Sequence, residues 1–228
     1  MIAAPPNLLA RSIGSAGITP TLLLCLVGFT LWSTDRHSVR LDADLRWLSI
    51  LLSLLAVALG CMALSWVRPQ RAGLSPPHVM LSLGFGGMLL GFGYDWAGAG
   101  PAQLDSLCSQ SAALTLWQSL LLHMQYLPGM HLGMLAGGLL AIPGLRMLRS
   151  HCGRYLCSLL LQNLMCSGWM LLGMTLGAVW LVRLQLAYGA ASITAMLGGM
   201  FVGMTWGMVL SVALYRSYFS WRGKRNET

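Results

Sequence analysis

Apolar residues run through this chain in six long stretches, at about 16–34, 45–67, 78–98, 112–145, 155–182 and 187–215, separated by short polar or charged segments. Crossing about 30 Å of hydrocarbon takes roughly 20 helical residues, so each stretch is long enough to span a bilayer. The pattern predicts an all-α fold: a polytopic membrane protein with a six-transmembrane-helix bundle as a single integral domain over residues 1–228, and no soluble domain. The stretch 112–145 is too long for one simple crossing. It carries Pro128-Gly129 near its middle and Pro143-Gly144 towards its end. Proline removes a backbone donor and clashes with the preceding turn, which predicts a kinked fourth span bent near 124–128. Residues 97–113, with no basic residue and the single acid Asp105, read as a connecting loop. The residues support neither a tandem nor an inverted repeat, so a transporter reading lacks a feature often found in that class.

Composition strengthens the membrane reading. Of 228 residues, 56% are hydrophobic and 9% charged, against roughly a quarter charged in soluble domains. The net charge of +8 does not imply nucleic-acid binding, because basic residues of membrane proteins collect in cytoplasmic loops. Arg11, Arg68, Arg71, Arg146, Arg149, Arg154, Arg216, Arg222, Lys224 and Arg225 fall on one side of the expected bundle, and Arg36, Arg40, Arg46 and Arg183 on the other. That asymmetry predicts a multi-pass protein of a bacterial-type inner membrane with both termini cytoplasmic. The first apolar run has no small-residue cleavage pattern after it and reads as a retained anchor. Six cysteines are present, without a CxxC pair or a Cys/His zinc spacing. Cys108 falls in an expected outward loop without an obvious partner, so no structural disulfide is expected.

The candidate chemistry is soft. Met196, Met200, Met204 and Met208 recur at four-residue intervals beside Gly199, Gly203 and Gly207, forming slowly winding stripes on a helix. In the fourth span the run from His123 to Met134 contains His123, Met124, Met130, His131 and Met134. On an unbroken helix His123, Met130 and Met134 share one face, and Met124 and His131 the adjoining one. Imidazole and thioether together suit Cu(I), with Met200 and Met204 as further ligands and Met165, Met170 and Met174 of span five within the same reach. High-affinity copper uptake proteins likewise place a four-spaced methionine pair near a glycine pair on a membrane helix. The chain resembles them in that spacing alone, and their span number and layout differ. Asp95, between Tyr94 and Trp96, reads either as an interfacial acid among aromatic anchors or as a proton-relay or second-shell partner of His123.

Other readings stay open. Methionine fills gaps between helices, and a glycine stripe beside it serves close packing. A non-catalytic subunit or assembly factor would dock a membrane partner, or a second copy, through Gly199, Gly203 and Gly207. A haem held by His123 or His131 is a further alternative, though the C-x-x-C-H attachment motif is missing. The chain has no P-loop, no GxSxG elbow and no HExxH helix, and Glu227 is its one glutamate, which argues against ATP-driven and carboxylate-based chemistry. The expected partner throughout is the lipid bilayer.

Overall fold

The computed structural model describes residues 18–36, 43–67, 76–148, 156–188 and 192–225. Its elements are helices: α1 (Ile18–Asp35), α2 (Ala43–Val67), α3 (Pro76–Ala99), α4 (Pro101–Ala113), α5 (Leu116–Tyr126), α6 (Pro128–Leu148), α7 (Leu156–Leu186) and α8 (Ile193–Arg225). No strand occurs among the described residues. Three helices contain segments long and apolar enough to cross a membrane: Trp47–Trp66 in α2, Asn163–Leu186 in α7 and Ile193–Ser217 in α8.

Two local signals divide the middle of the chain more finely than hydropathy does. The segment expected as a loop forms α4. Gly100 takes φ 75° and Pro101 occupies the first helical turn, where a missing N–H costs nothing. Leu104, Leu107, Cys108 and Ser111 then line one buried face. Thr115 opens α5 with a capping box closed by Gln118, satisfying backbone groups that a helix start leaves free. The expected kink is a full break. Leu127 leaves the helix at φ −126° and ψ 52°, as the residue before a proline tends to do, and Pro128 starts α6. The shared faces computed for an unbroken helix through 123–134 therefore do not apply.

The core consists of two antiparallel helix pairs, each closed by glycine. Between α3 and α6, a Cβ at Gly87 would strike the carbonyl of Gly133, one at Gly91 that of Gly129, and one at Gly137 that of Leu83. Between α7 and α8, a Cβ at Gly173 would strike the carbonyl of Gly203, one at Gly177 that of Gly199, and one at Gly207 that of Trp169. The hydrogen standing where Cβ would be points at a carbonyl oxygen, a weak attraction worth about 0.5–1 kcal/mol each, available only at this backbone separation. Gly199, Gly203 and Gly207 thus pack against α7 of their own chain.

The two pairs are copies of one pattern, which corrects the expectation that the residues carry no repeat. Gly129-Met130-His131-Leu132-Gly133-Met134-Leu135-Ala136-Gly137 corresponds to Gly199-Met200-Phe201-Val202-Gly203-Met204-Thr205-Trp206-Gly207, and Gly87-Met88-Leu89-Leu90-Gly91 to Gly173-Met174-Thr175-Leu176-Gly177. The same alignment carries each glycine contact of the first pair onto one of the second. Burial follows it too: Met88 and Met174, Met130 and Met200, Met134 and Met204, and Leu127 and Leu197 are all buried. Gly84 and Met170 are equivalent positions and meet, since a Cβ on Gly84 would lie 2.9 Å from the Met170 methyl. They mark the seam between the halves, where Phe85 of α3 also stacks edge-on with Phe201 of α8, centroids 4.8 Å apart. The N-terminal helices lean on the second pair: Trp206 Nε1 donates to the carbonyl of Ala56 at 3.1 Å, and Gly60 makes room for Thr205.

Candidate functional site

The polar chemistry gathers at the end of the bundle covered by α4 and α5. Arg183 near the end of α7 donates to the carbonyl of Leu114, between α4 and α5, at 2.7 Å. The connections of both hairpins therefore lie at one end, and the two halves run in the same sense.

The break at Leu127 creates a fresh helix N-terminus within the bundle, with backbone donors that need acceptors. Asp95 of α3 supplies them. One carboxylate oxygen accepts from Gly129 N–H at 3.0 Å and the other from Met130 N–H at 2.8 Å. A carboxylate facing a helix N-terminus is favoured by the local dipole as well as by these bonds. Gly129 is required here, because a Cβ would stand 2.6 Å from the Asp95 carboxylate. Asp95 is buried, whereas Tyr94 is exposed and Trp96 packs on Phe92. Its role in the fold is to hold the broken helix in place.

His131 follows one turn into α6. Its Nδ1 lies 2.8 Å from the carbonyl of Leu127. A carbonyl can only accept, so Nδ1 carries the proton and the neutral ring keeps its lone pair on Nε2. That Nε2 is buried and has no hydrogen-bond partner among the described residues. A ring whose other nitrogen donates to a backbone carbonyl is oriented as metal-ligating histidines usually are. His123, in the last turn of α5, is 1% exposed. Neither of its ring nitrogens has a hydrogen-bond partner among the described residues. Ser119, one turn before His123, presents a further buried hydroxyl without a partner. Its four-residue spacing from His123 was the available sequence signal for it. Each such buried polar atom costs about 1–3 kcal/mol unless something engages it.

The sulfur side is mixed. Met130 and Met134 of α6 and Met200 and Met204 of α8 are fully buried, but Met124 is 45% exposed on α5 and Met165 is exposed on α7. Met170 and Met174 are buried, and the methyl ends of Met170 and Met204 converge on the space left by Gly84. Among the described residues no three His, Cys, Asp or Glu side chains form a metal-binding group, so a metal held here must draw on thioether sulfur. Cys108 is not an exposed loop thiol. It is buried on α4, its Sγ 3.5 Å from the sulfur of Met196. His78 is buried in α3, and His37 and His151 lie outside the described residues. A groove of about 220 Å³ lined by Leu24, Cys61, Met62 and Trp66 lies between α1 and α2, among residues remote in the chain from the histidines.

The described residues thus form an all-helical structure, with three helices among them long and apolar enough to cross a membrane and a core of two like hairpins. No family model, curated protein or solved structure matches the chain.

Proposed function

We propose that this is a multi-pass inner-membrane protein that binds and moves a soft cation of the Cu(I) class, with His123 and His131 as its imidazole ligands. The observation that carries the reading is the pair of buried rings: His131 with Nδ1 tied to Leu127 and Nε2 open, and His123 with both nitrogens open. Met130, next to His131 in sequence at the start of α6, and Met134, one turn further, are buried sulfur donors on the same helix, with Met200 and Met204 their counterparts across the seam. Imidazole and thioether without any clustered carboxylate favour a soft, low-coordinate ion over Zn(II), Mg(II) or Ca(II). Direct repeats about a shared axis are a recurrent architecture of membrane transporters, and the two like hairpins supply that feature.

In this reading the six apolar stretches all cross the bilayer, with both termini cytoplasmic. Alkaline phosphatase fused after Thr228 should be inactive, while a cytoplasmic reporter at the same place is active; the reverse would overturn the orientation. The docking-subunit alternative loses its proposed surface, because Gly199, Gly203 and Gly207 already face Trp169, Gly173 and Gly177.

The test is the metal and haem content of the full-length protein purified in detergent, beside a His123→Ala/His131→Ala variant. At least one copper per chain, with about one equivalent lost from a variant that stays folded, is the expected result. A Soret band lost in the same way would replace the copper reading with a His-ligated haem. Neither group in protein supplied with both would overturn a stable site.

A further inference from the structure

Cys108 stands at the head of the methionine ladder of α8. Its Sγ is 3.5 Å from Met196 Sδ, and both side chains are fully buried where α4 covers the start of α8. Met200, Met204 and Met208 continue from Met196 along the same helix, each fully buried, at a rise of about 6 Å per step. At the second step the Met204 methyl lies, with that of Met170, beside Gly84. Two sulfur ligands on one metal at about 2.3 Å each and near-tetrahedral angles lie about 3.8 Å apart, so the observed separation needs only a small opening to accept an ion. The pair has no copy in the first hairpin, where the position equivalent to Met196 is Tyr126.

We infer that Cys108 and Met196 form a second soft-metal site, a thiolate–thioether pair that loads Cu(I) or Ag(I) onto the methionine ladder from the end of the bundle capped by α4. The inference rests on the soft-cation reading above but uses different residues. On binding, the Cys108 thiol gives its proton to solvent and its sulfur bonds the metal, so no oxidant or reductant is needed. A thiolate supplies the charge that the thioethers lack, which makes this end of the ladder the place where a cation is first held.

The experiment titrates the detergent-purified full chain with Cu(I), and in parallel with Ag(I). It reads thiolate-to-metal ultraviolet absorption and competition with a chromophoric Cu(I) chelator. Cys108→Ser should lose about one equivalent and the absorption that goes with it. Met196→Leu, close in volume, should keep that absorption and weaken the site roughly tenfold. A His123→Ala/His131→Ala chain should retain the Cys108-dependent absorption. That result holds even if the histidine site binds nothing, so the two readings fail separately. Unchanged stoichiometry and absorption in Cys108→Ser would overturn the inference. Should Cys108→Ser not fold, wild-type affinity in Met196→Leu would overturn it instead.

Discussion

The two glycine-closed hairpins are built to one plan and differ at a few buried positions. Where α3 has Asp95, α7 has Leu181; where α6 has His131, α8 has Phe201; where Pro128 follows the helix break, Gly198 lies inside the continuous α8, and Ile193 takes the place of His123. Burial hardly distinguishes the partners: Asp95 is 7% exposed and Leu181 6%, His131 3% and Phe201 0%. One hairpin fills these places with hydrocarbon and an uninterrupted helix. The other fills them with an acid, an imidazole and a helix break that need each other, since the break makes the donors that Asp95 accepts and places the Leu127 carbonyl that His131 binds. Ionisable side chains at buried membrane positions are costly and usually functional. Because the second copy is built without them, the half that has them is where the proposed site belongs.

The largest effect should come from the contacts the halves share. Gly133→Leu and Gly203→Leu each drive a side chain into a backbone carbonyl, costing about 3 kcal/mol or more. The two variants should fail alike in thermal unfolding followed by circular dichroism. If only one fails, the hairpins are not equivalent. Next come exchanges between copies. Asp95→Leu leaves the N–H groups of Gly129 and Met130 without their acceptor, at a cost of about 2–4 kcal/mol, and denaturant unfolding in mixed micelles should register it. Phe201→His inserts an unpartnered imidazole into the second half and should destabilise it by about 1–3 kcal/mol. The reciprocal His131→Phe should leave the melting temperature level or raised while weakening copper binding, a split that a purely structural histidine would not give. The smallest effect belongs to Met130→Leu. Stability should change by less than about 1.5 kcal/mol, with a measurable loss of Cu(I) affinity in chelator competition, whereas Leu at the exposed Met124 should alter neither.

Much of the helical plan is legible in the sequence, because apolar runs and their polar boundaries locate α1, α2, α3, α7 and α8 directly. Pro128 announces the interruption of the fourth stretch, though not its completeness. That depends on Asp95, more than thirty residues earlier, being present to cap the new helix start. The short helix α4 escapes notice because its apolar face is only Leu104, Leu107, Cys108 and their neighbours, while Gly100-Pro101 was the local sign of its beginning. The duplication escapes for a different reason. Averaged hydropathy treats glycine and methionine as two more mild residues, yet it is their alternation, Gly-Met-x-x-Gly-Met-x-x-Gly, that both α6 and α8 carry. The candidate histidines are visible from their rarity within apolar runs. Their unpartnered nitrogens and the Cys108–Met196 contact are products of packing across distant segments.

The most direct test of the central claim is X-ray absorption at the copper edge of the Cu(I)-loaded protein, compared with His131→Phe. The account predicts scattering from both imidazole nitrogen and thioether sulfur in the native chain, with the nitrogen contribution reduced in the variant. Copper bound with sulfur alone, and unchanged by His131→Phe, would contradict the placement of the site in the first hairpin.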